Sequence, residues 1–239
     1  MTFPETRYSV VRGAASTDPE ARQRAFGQLV EAYWKPAYKY TRLKWGCSPE
    51  EAEDLTQGFF ARAFEKDFFG TYDTTKARFR TFLRTCLDGF ISNQRQAAGR
   101  VKRGGDVQLV PLDFRTAEGE LRQHDLPVPA DMDAYFDQEW ARSVLGLAVD
   151  RLRAHYSARG RDICFRVFER YDLDPYETGA RVTYAALAGD LAIEVTDVTN
   201  HLAAARRQFR AFVLERLRAL TASDDEFRDE ARRLLGVNL

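Results

Sequence analysis

Apolar residues recur along most of the chain at steps of three and four, the spacing that places side chains on one face of an α-helix. A helix over about 19–45 contains Pro36, which predicts a kink or a split. A second helix is predicted after Ser48-Pro49-Glu50-Glu51, a capping box with proline in the first turn. The pattern as a whole predicts an all-α fold. The clearest period lies between residues 75 and 99, with an apolar face of Phe79, Phe82, Leu83, Cys86, Leu87, Phe90 and Ile91.

The helical pattern stops between residues 106 and 139, where the charge also changes. This segment contains nine acidic and two basic residues, a formal charge of −7, together with three prolines. Because no sustained apolar period runs through it, we interpret it as an acidic flexible linker. It separates predicted domains at 1–105 and 140–220, and a capping box at Ser223 predicts a tail helix within 221–239. The apolar spacing of this tail favours packing on the second domain, and a regulatory contact is the alternative.

Residues 183–210 have the pattern of a helix-turn-helix. A short helix from Thr183 to about Leu191 and a long helix from Thr196 to about Leu220 flank a turn at 192–195. An ordinary helical hairpin with a solvated basic face has the same spacing. The residues predicted to be buried are Ala186, Leu187, Leu191, Ile193, Val195, Val198, Leu202, Ala205 and Phe209. The outward face, which suits a major groove, consists of Thr199, Asn200, Ala203, Arg206, Arg207 and Arg210.

Two charged surfaces are further candidates for binding. Residues 76–103 contain eight basic residues and one acid, and the aromatic residues Phe68, Phe69 and Tyr72 come just before them. Basic side chains beside aromatic ones suit single-stranded DNA, and a solvated helix face is the alternative. The other surface is either a docking site for a basic partner or a first turn that favours the helix dipole. It consists of Glu50, Glu51, Glu53, Asp54 and Gln57.

Composition argues against several classes of protein. Lys and Arg together number 36, as do Asp and Glu, and this formal net charge of zero argues against a protein that coats nucleic acid. Three cysteines without CxxC spacing predict buried free thiols in a reducing compartment. We expect a cytoplasmic protein without membrane insertion, because no signal peptide or spanning segment is recognisable. We expect no catalytic residue, metal or cofactor, because the three histidines lack metal-ligand spacing and no phosphate-binding glycine loop is present.

Taken in order, these segments resemble the extracytoplasmic-function group of the sigma-70 family of RNA polymerase sigma factors. EAEDLTQGFFARAFE (51–65) is similar to the family's DAEDLTQEVFLRAW. FRTFLRTCLDGFISNQR (79–95) is similar to FRAWLYRIARNLALDRLR. TYAALAGDLAIEVTDVTNHLAAARRQFR (183–210) resembles SYEEIAELLGISVGTVKSRLHRARRRLR. The segments keep the order and spacing of the family, and together they cover about two thirds of the chain.

The resemblance implies two helical DNA-binding domains and a non-enzymatic role in transcription initiation. The acidic face at 50–57 would dock on the β′ clamp of core RNA polymerase, the second domain on the β flap, and the linker would run towards the active-site and RNA-exit channels. Promoter DNA and an anti-sigma factor or other regulator are the further partners implied. The −10 element would be captured and melted by Phe68, Phe69, Tyr72, Lys76, Arg78, Arg80, Arg84, Asn93 and Arg95. The −35 element would be read by Thr196, Thr199, Asn200, Ala203, Arg206, Arg207 and Arg210.

The chain departs from the family in both DNA-reading helices. Phe82, Gly89 and Asn93 stand where the family has Trp, Asn and Asp, so the preferred −10 sequence stays open. Asn200 and His201 stand where it often has Ser and Lys. Two alternative functions also stay open: a stand-alone helix-turn-helix regulator, which has no need of the acidic face, and a sigma-like decoy for an anti-sigma partner. Because an acidic linker lies beside two basic surfaces, we predict that the free protein binds DNA weakly.

Overall fold

The computed structural model describes residues 10–14, 16–97, 112–123, 129–174 and 182–237. These residues form helices and connecting turns without a strand, so the predicted all-α class is confirmed. A short 3-10 helix at Phe68–Thr71 and a π-helical turn at Glu169–Leu173 complete the regular structure. The α-helices are α1 (Val10–Gly13), α2 (Pro19–Lys44), α3 (Pro49–Glu65), α4 (Phe79–Ala97), α5 (Phe114–Gln123), α6 (Met132–Ser157), α7 (Asp162–Phe168), α8 (Tyr184–Leu191), α9 (Val195–Leu220) and α10 (Asp224–Leu235).

The chain divides into two compact units whose boundaries differ from the predicted domains. The first unit consists of residues 1–143 together with 217–239, and the second consists of residues 144–216. The boundaries therefore fall inside α6 and α9, and the first unit contains both the predicted linker segment and the predicted tail.

The first unit is built around α2. Asp18 caps this helix by accepting a hydrogen bond from the backbone N–H of Glu20, and Pro19 begins it. Almost every residue from 32 to 41 is buried, including Pro36, which does not split the helix. Packing on all sides compensates for the hydrogen bond that a proline removes. Tyr33 illustrates this packing, since its ring lies 5.7 Å from that of Phe79 and 6.2 Å from that of Trp140.

The described parts of the predicted linker are helical and packed, so the expectation of a flexible linker is wrong there. In α5, Phe114 is buried against Trp34 and Tyr38, with ring centroids 5.3 and 5.1 Å apart. In α6, the Glu139 carboxylate is buried and lies 2.7 Å from Nζ of Lys39. Five acids of this segment are thus held by basic residues of the first unit: Glu118, Glu120, Asp133, Asp137 and Glu139. The rest of the predicted linker, at 106–111 and 124–128, lies outside the described residues.

The predicted tail helix is present as α10. Its Ser223 cap has the predicted geometry, because the Glu226 backbone N–H donates to the Ser223 hydroxyl at 3.1 Å. The Glu226 carboxylate accepts at 2.9 Å from the backbone N–H of Ala222, one residue before the cap, and not from Ser223 as in a full capping box. The prediction that the tail covers the second domain is wrong, since residues 217–239 pack within the first unit. Basic partners at the start of α4, which contact the acids of α10 and are described below, supply the reason. None of the helices in the described ranges has the length and apolar character needed to cross a membrane.

The second unit contains the helix-turn-helix pair α8 and α9. Thr183 caps α8 by accepting from the Ala186 backbone at 3.2 Å, and Ala192 ends it in the left-handed conformation at φ 52° and ψ 47°. The Ile193 backbone N–H then donates to the Ala188 carbonyl at 3.0 Å, which closes the turn. The apolar cluster beneath the pair consists of Val167, Leu187, Ala188, Val198 and Leu202.

Three details of the predicted pair are wrong. Ala186 is exposed, because Ala188 takes the buried position on α8. Val195 is also exposed, at 46% of its surface, and Ile193 alone fills the turn. The long helix begins at Val195, one residue earlier than predicted, and the Glu194 carbonyl accepts from the Val198 backbone N–H.

Candidate nucleic-acid interface

The acidic face of α3 lies at the surface as predicted. Glu50, Asp54 and Gln57 are exposed, Glu53 is half-buried, and the Gln57 amide donates to the Glu53 carboxylate at 3.3 Å. Glu51 differs, because it lies 3.3 Å from the Arg95 guanidinium. Within the described part of the chain, neither Glu50 nor Asp54 takes part in an ion pair. This face therefore presents negative charge that is available to a partner.

A cavity of about 500 Å³ opens between α3, the 3-10 helix and α4. It brings together the predicted residues Phe68 and Asn93. The cavity was not predicted, because its wall combines residues of α3, the 3-10 helix and α4, which are separate segments in the sequence. The apolar period of α4 alone does not indicate a cavity. Burial raises the pKa of the Cys86 thiol in this wall. The other lining residues are Arg62, Thr71, Gly89, Phe90, Gln94 and Ala97.

The three predicted aromatic residues have different environments. Phe68 lines the cavity, whereas Phe69 is buried and stacks on Phe26 with ring centroids 5.5 Å apart. The prediction that Phe69 holds an unpaired base is wrong, since its ring already belongs to the core. Tyr72 packs against Phe79 at 5.2 Å, and its hydroxyl donates to the Ala77 carbonyl at 2.8 Å. Burial, with smaller contributions from Glu226 and Asp73, raises the pKa of Tyr72 to about 12.

The predicted arginines at the start of α4 are engaged by carboxylates. Arg80 is only 5% exposed, contacts Glu230 of α10 and lies 2.8 Å from Asp137 of α6. Its guanidinium also lies over the Trp140 ring at 5.0 Å. Arg84 lies 2.6 Å from Asp133. Arg80 is therefore a buried structural residue in this conformation, and the prediction that it presents free charge to DNA is wrong.

The remaining predicted −10 residues are more accessible. Arg78 is 41% exposed and contacts Glu230 at 2.8 Å and Asp229 at 3.2 Å. Lys76 and Asn93 are exposed, and Lys76 has only a long contact of 3.4 Å with Asp73. Arg95 lies over the Trp45 ring at 5.2 Å while it contacts Glu51, as described above.

The outward face of α9 agrees closely with the prediction. A hydrogen bond of 3.3 Å from the Thr199 hydroxyl to the Val195 carbonyl leaves the Thr199 methyl group available at the surface. Arg206 is the exception on this face. Its guanidinium donates two hydrogen bonds, of 2.8 and 2.7 Å, to Asp172 and lies over the Tyr171 ring. The hydrogen bonds to Asp172 raise the Arg206 pKa. The exposed predicted residues are Thr196, Thr199, Asn200, Ala203, Arg206, Arg207 and Arg210.

Two features near this face were not predicted. Val195 is the one large apolar residue with an exposed side chain in the described part of the chain. His201 faces inward, and its Nδ1 lies 3.2 Å from the buried Cys164 thiol. The contact gives the half-buried His201 ring a polar partner inside the second unit. No period in the sequence pairs it with Cys164, because the two positions are 37 residues apart.

The geometry thus provides an acidic face on α3, a cavity beside α4 and a polar, basic face on α9. The residues described contain no group of three or more His, Cys, Asp or Glu side chains arranged to hold a metal ion. The comparisons with known proteins add nothing to this geometry: no protein-family model, no curated protein and no solved structure matches the chain.

Proposed function

We propose that this chain is a sigma factor of the extracytoplasmic-function type, a non-enzymatic cytoplasmic protein that directs core RNA polymerase to promoters. The observation that carries the proposal is the exposed face of α9 above the packed α8–α9 pair. Short polar residues come first along this face and arginines follow. A recognition helix likewise places its N-terminal residues against base edges in the major groove.

The α9 face has the chemistry for a −35 element. The exposed Asn200 amide can form two hydrogen bonds with an adenine edge, and the Thr196 hydroxyl can bond to several bases. Arg207 and Arg210 lie about two and three turns beyond Asn200, where they reach phosphates or guanine. Arg206 is less suited to this role, because leaving Asp172 would break two charge-assisted hydrogen bonds.

The cavity beside α4 supports a role in holding unpaired DNA. Phe68 offers an aromatic surface for stacking, and the Asn93 and Gln94 amides offer donors and acceptors for a base edge. Arg62 on the same wall supplies positive charge. This region, with Lys76 and Arg78, is the part of the predicted −10 surface that we retain, whereas Phe69 and Arg80 are assigned to the core.

The exposed carboxylates of α3 support docking on the β′ clamp. Glu50 and Asp54 are solvated and make no ion pair in the described residues, so a basic partner meets charge that is not already neutralised. The docking of residues 140–220 on the β flap remains a prediction. The proposal includes no channel-threading role for the acidic segment, since five of its described carboxylates are paired with basic residues of the first unit.

The direct test is transcription by core polymerase from the native host on fragmented genomic DNA, with and without the protein. New transcripts that share a two-part upstream motif would support the proposal. Co-elution with core polymerase without transcription would point to a decoy, and silence without core binding would point to a stand-alone regulator.

A charge reversal tests the docking face separately. We expect Glu53→Arg with Asp54→Arg to weaken core binding at least tenfold, which corresponds to about 1.4 kcal/mol. Glu20→Arg is the control, because Glu20 is an acid on α2 that is 85% exposed and lies outside both α3 and residues 140–220. Equal binding by both variants would contradict the assignment of the α3 face.

A further inference from the structure

Three carboxylates of α10 meet the start of α4. Glu226, Asp229 and Glu230 occupy positions i, i+3 and i+4, so they lie on one side of the helix. Glu230 contacts both Arg78 and Arg80, and Asp229 contacts Arg78 at 3.2 Å. All three acids therefore face the segment that carries the predicted −10 contacts.

Glu226 completes this arrangement at the backbone. Its Oε1 accepts a hydrogen bond of 3.4 Å from the Phe79 N–H, which is the first residue of α4. N–H groups in the first turn of a helix lack partners within the helix and bind anions such as phosphate. The Arg78 guanidinium and one helix N–H form a set of donors that suits a nucleic-acid backbone, and carboxylates of the same chain occupy it.

The acids of α10 are not equivalent. Asp224 contacts Arg218, and Asp225 contacts Arg228 at 3.0 Å, so neither is bound to α4. Both are largely exposed. The helix thus has two acidic pairs of equal charge, and Glu226 and Asp229 engage α4 whereas Asp224 and Asp225 do not.

The packing of α10 allows the helix to leave while the donors stay in place. Ala231 is its one fully buried apolar residue in the range described, and Phe227, Leu234 and Leu235 are only half-buried. Charge therefore makes a large contribution to its binding, and that contribution weakens with salt and with competing anions. Arg80 would keep its contacts with Asp137 and the Trp140 ring after α10 leaves.

We propose that α10 is an intramolecular competitor of DNA: its carboxylates occupy phosphate-binding donors at the start of α4, and promoter DNA must displace them. This inference rests on the proposed function, because it assigns Arg78 and the α4 N-terminus to contacts with the DNA backbone. It also gives a specific cause for weak DNA binding by the free protein.

The test compares two full-length variants with the same change in charge. Glu226→Gln with Asp229→Asn removes two carboxylates that face α4, and Asp224→Asn with Asp225→Asn removes two that do not. The probe is a fluorescently labelled DNA duplex with an unpaired central segment, and anisotropy gives its affinity at several salt concentrations. Urea unfolding of each variant monitors folding, and Glu230 is left intact because it is buried.

We expect the Glu226/Asp229 variant to bind DNA about tenfold more tightly than the unmodified chain, with a steeper salt dependence by about one phosphate contact. The Asp224/Asp225 variant is expected to stay within about twofold, the size of a general charge effect. Equal affinity of the two variants would overturn the inference and leave the proposed function standing. Absence of DNA binding by every form, also with core polymerase present, would overturn both.

Discussion

Two helices of this protein carry a series of arginines, and they use them differently. On α4, Arg78, Arg80 and Arg84 each contact a carboxylate that lies between 49 and 152 residues away in the sequence. On α9, Arg207 and Arg210 are exposed and make no ion pair in the described part of the chain. The number of basic residues in a segment therefore does not measure the positive charge that the segment presents to DNA.

Burial explains the contrast. A charge that leaves water must be paired, because its desolvation costs several kcal/mol. Arg80 is enclosed by α6, α10 and the Trp140 ring, so it requires Glu230 and Asp137. Arg207 and Arg210 of α9 keep their solvent and need no partner. The two acids that pair with Arg80 come from segments with other predicted roles: Asp137 from the predicted linker and Glu230 from the predicted tail.

The largest effect is expected from the buried pair. Glu230→Gln should lower the free energy of unfolding by about 3 kcal/mol, because the 1%-exposed carboxylate neutralises a 5%-exposed guanidinium. Urea denaturation measures this difference. Asp229→Asn is the matched control on the same helix, since this acid is 51% exposed and its loss should cost no more than about 1 kcal/mol. Similar values for the two variants would remove the distinction between buried and solvated pairs.

Acid should weaken the first unit through Glu118. Two hydrogen bonds from Arg42, at 2.9 and 2.8 Å, and one from the Tyr38 hydroxyl, at 2.8 Å, lower the pKa of this carboxyl to about 2, although burial opposes the shift. A depressed folded-state pKa contributes stability above the ordinary carboxyl value near 4.3, and this stability is lost as the pH falls towards 2.

The pH dependence can be assigned to this residue by substitution. Between pH 6 and pH 2, we expect Glu118→Gln to lose about 2 kcal/mol less unfolding free energy than the unmodified chain, measured in urea at each pH. Glu20→Gln is the control, because Glu20 is an exposed acid on the same unit. An unchanged pH profile in the Glu118 variant would mean that other ion pairs of the first unit determine its acid sensitivity.

The salt dependence of DNA binding should distinguish α9 from α4 most directly. Arg207→Ala with Arg210→Ala is expected to lower the slope of log affinity against log salt by about 2 and to weaken duplex binding about tenfold. Arg78→Ala should change the slope by less than about 1, because its guanidinium is already bound by acids of α10. An equal effect of both changes would show that α4 presents as much charge as α9.

Features that depend on near neighbours could be predicted from the sequence. The predicted capping residues Ser48 and Ser223 both accept the expected backbone hydrogen bonds. The exposed face of α9 also follows from its apolar period, since burying Val198, Leu202 and Ala205 determines which side chains face solvent. Local rules were sufficient here because each partner lies within four residues in the chain.

Features that depend on distant partners could not. Nothing local links Glu230 to Arg80, and a carboxylate that will be buried looks the same in the sequence as one that stays in water. The sequence pattern at 113–139 predicted a linker because α5 is short and its apolar stripe consists of little more than Phe114 and Ala117. The cavity beside α4 escaped prediction for the same reason, as its lining comes from α3, the 3-10 helix and α4.

The smallest expected effect concerns Val195, at the start of α9. An exposed valine contributes little to folding, so Val195→Ala should change the unfolding free energy by less than about 0.5 kcal/mol. In a major groove, however, its methyl groups are suited to contact the C5-methyl group of thymine. We expect the substitution to weaken binding about twofold to a selected duplex that has thymine at the position contacted by this residue.

A chemical change in the DNA isolates this contact. Replacing one thymine by deoxyuridine removes only the methyl group, so the unmodified protein should lose affinity while the Val195→Ala variant should not respond. Scanning each thymine of a selected duplex in turn with both proteins, by anisotropy, identifies the contacted position. If the effect of removing a thymine methyl group depends on the side chain at position 195, the loss of affinity cannot be a general weakening of binding. If both proteins respond equally at every thymine, α9 does not place Val195 against a base. Arg207 and Arg210 would then bind the DNA backbone without sequence being recognised through Val195.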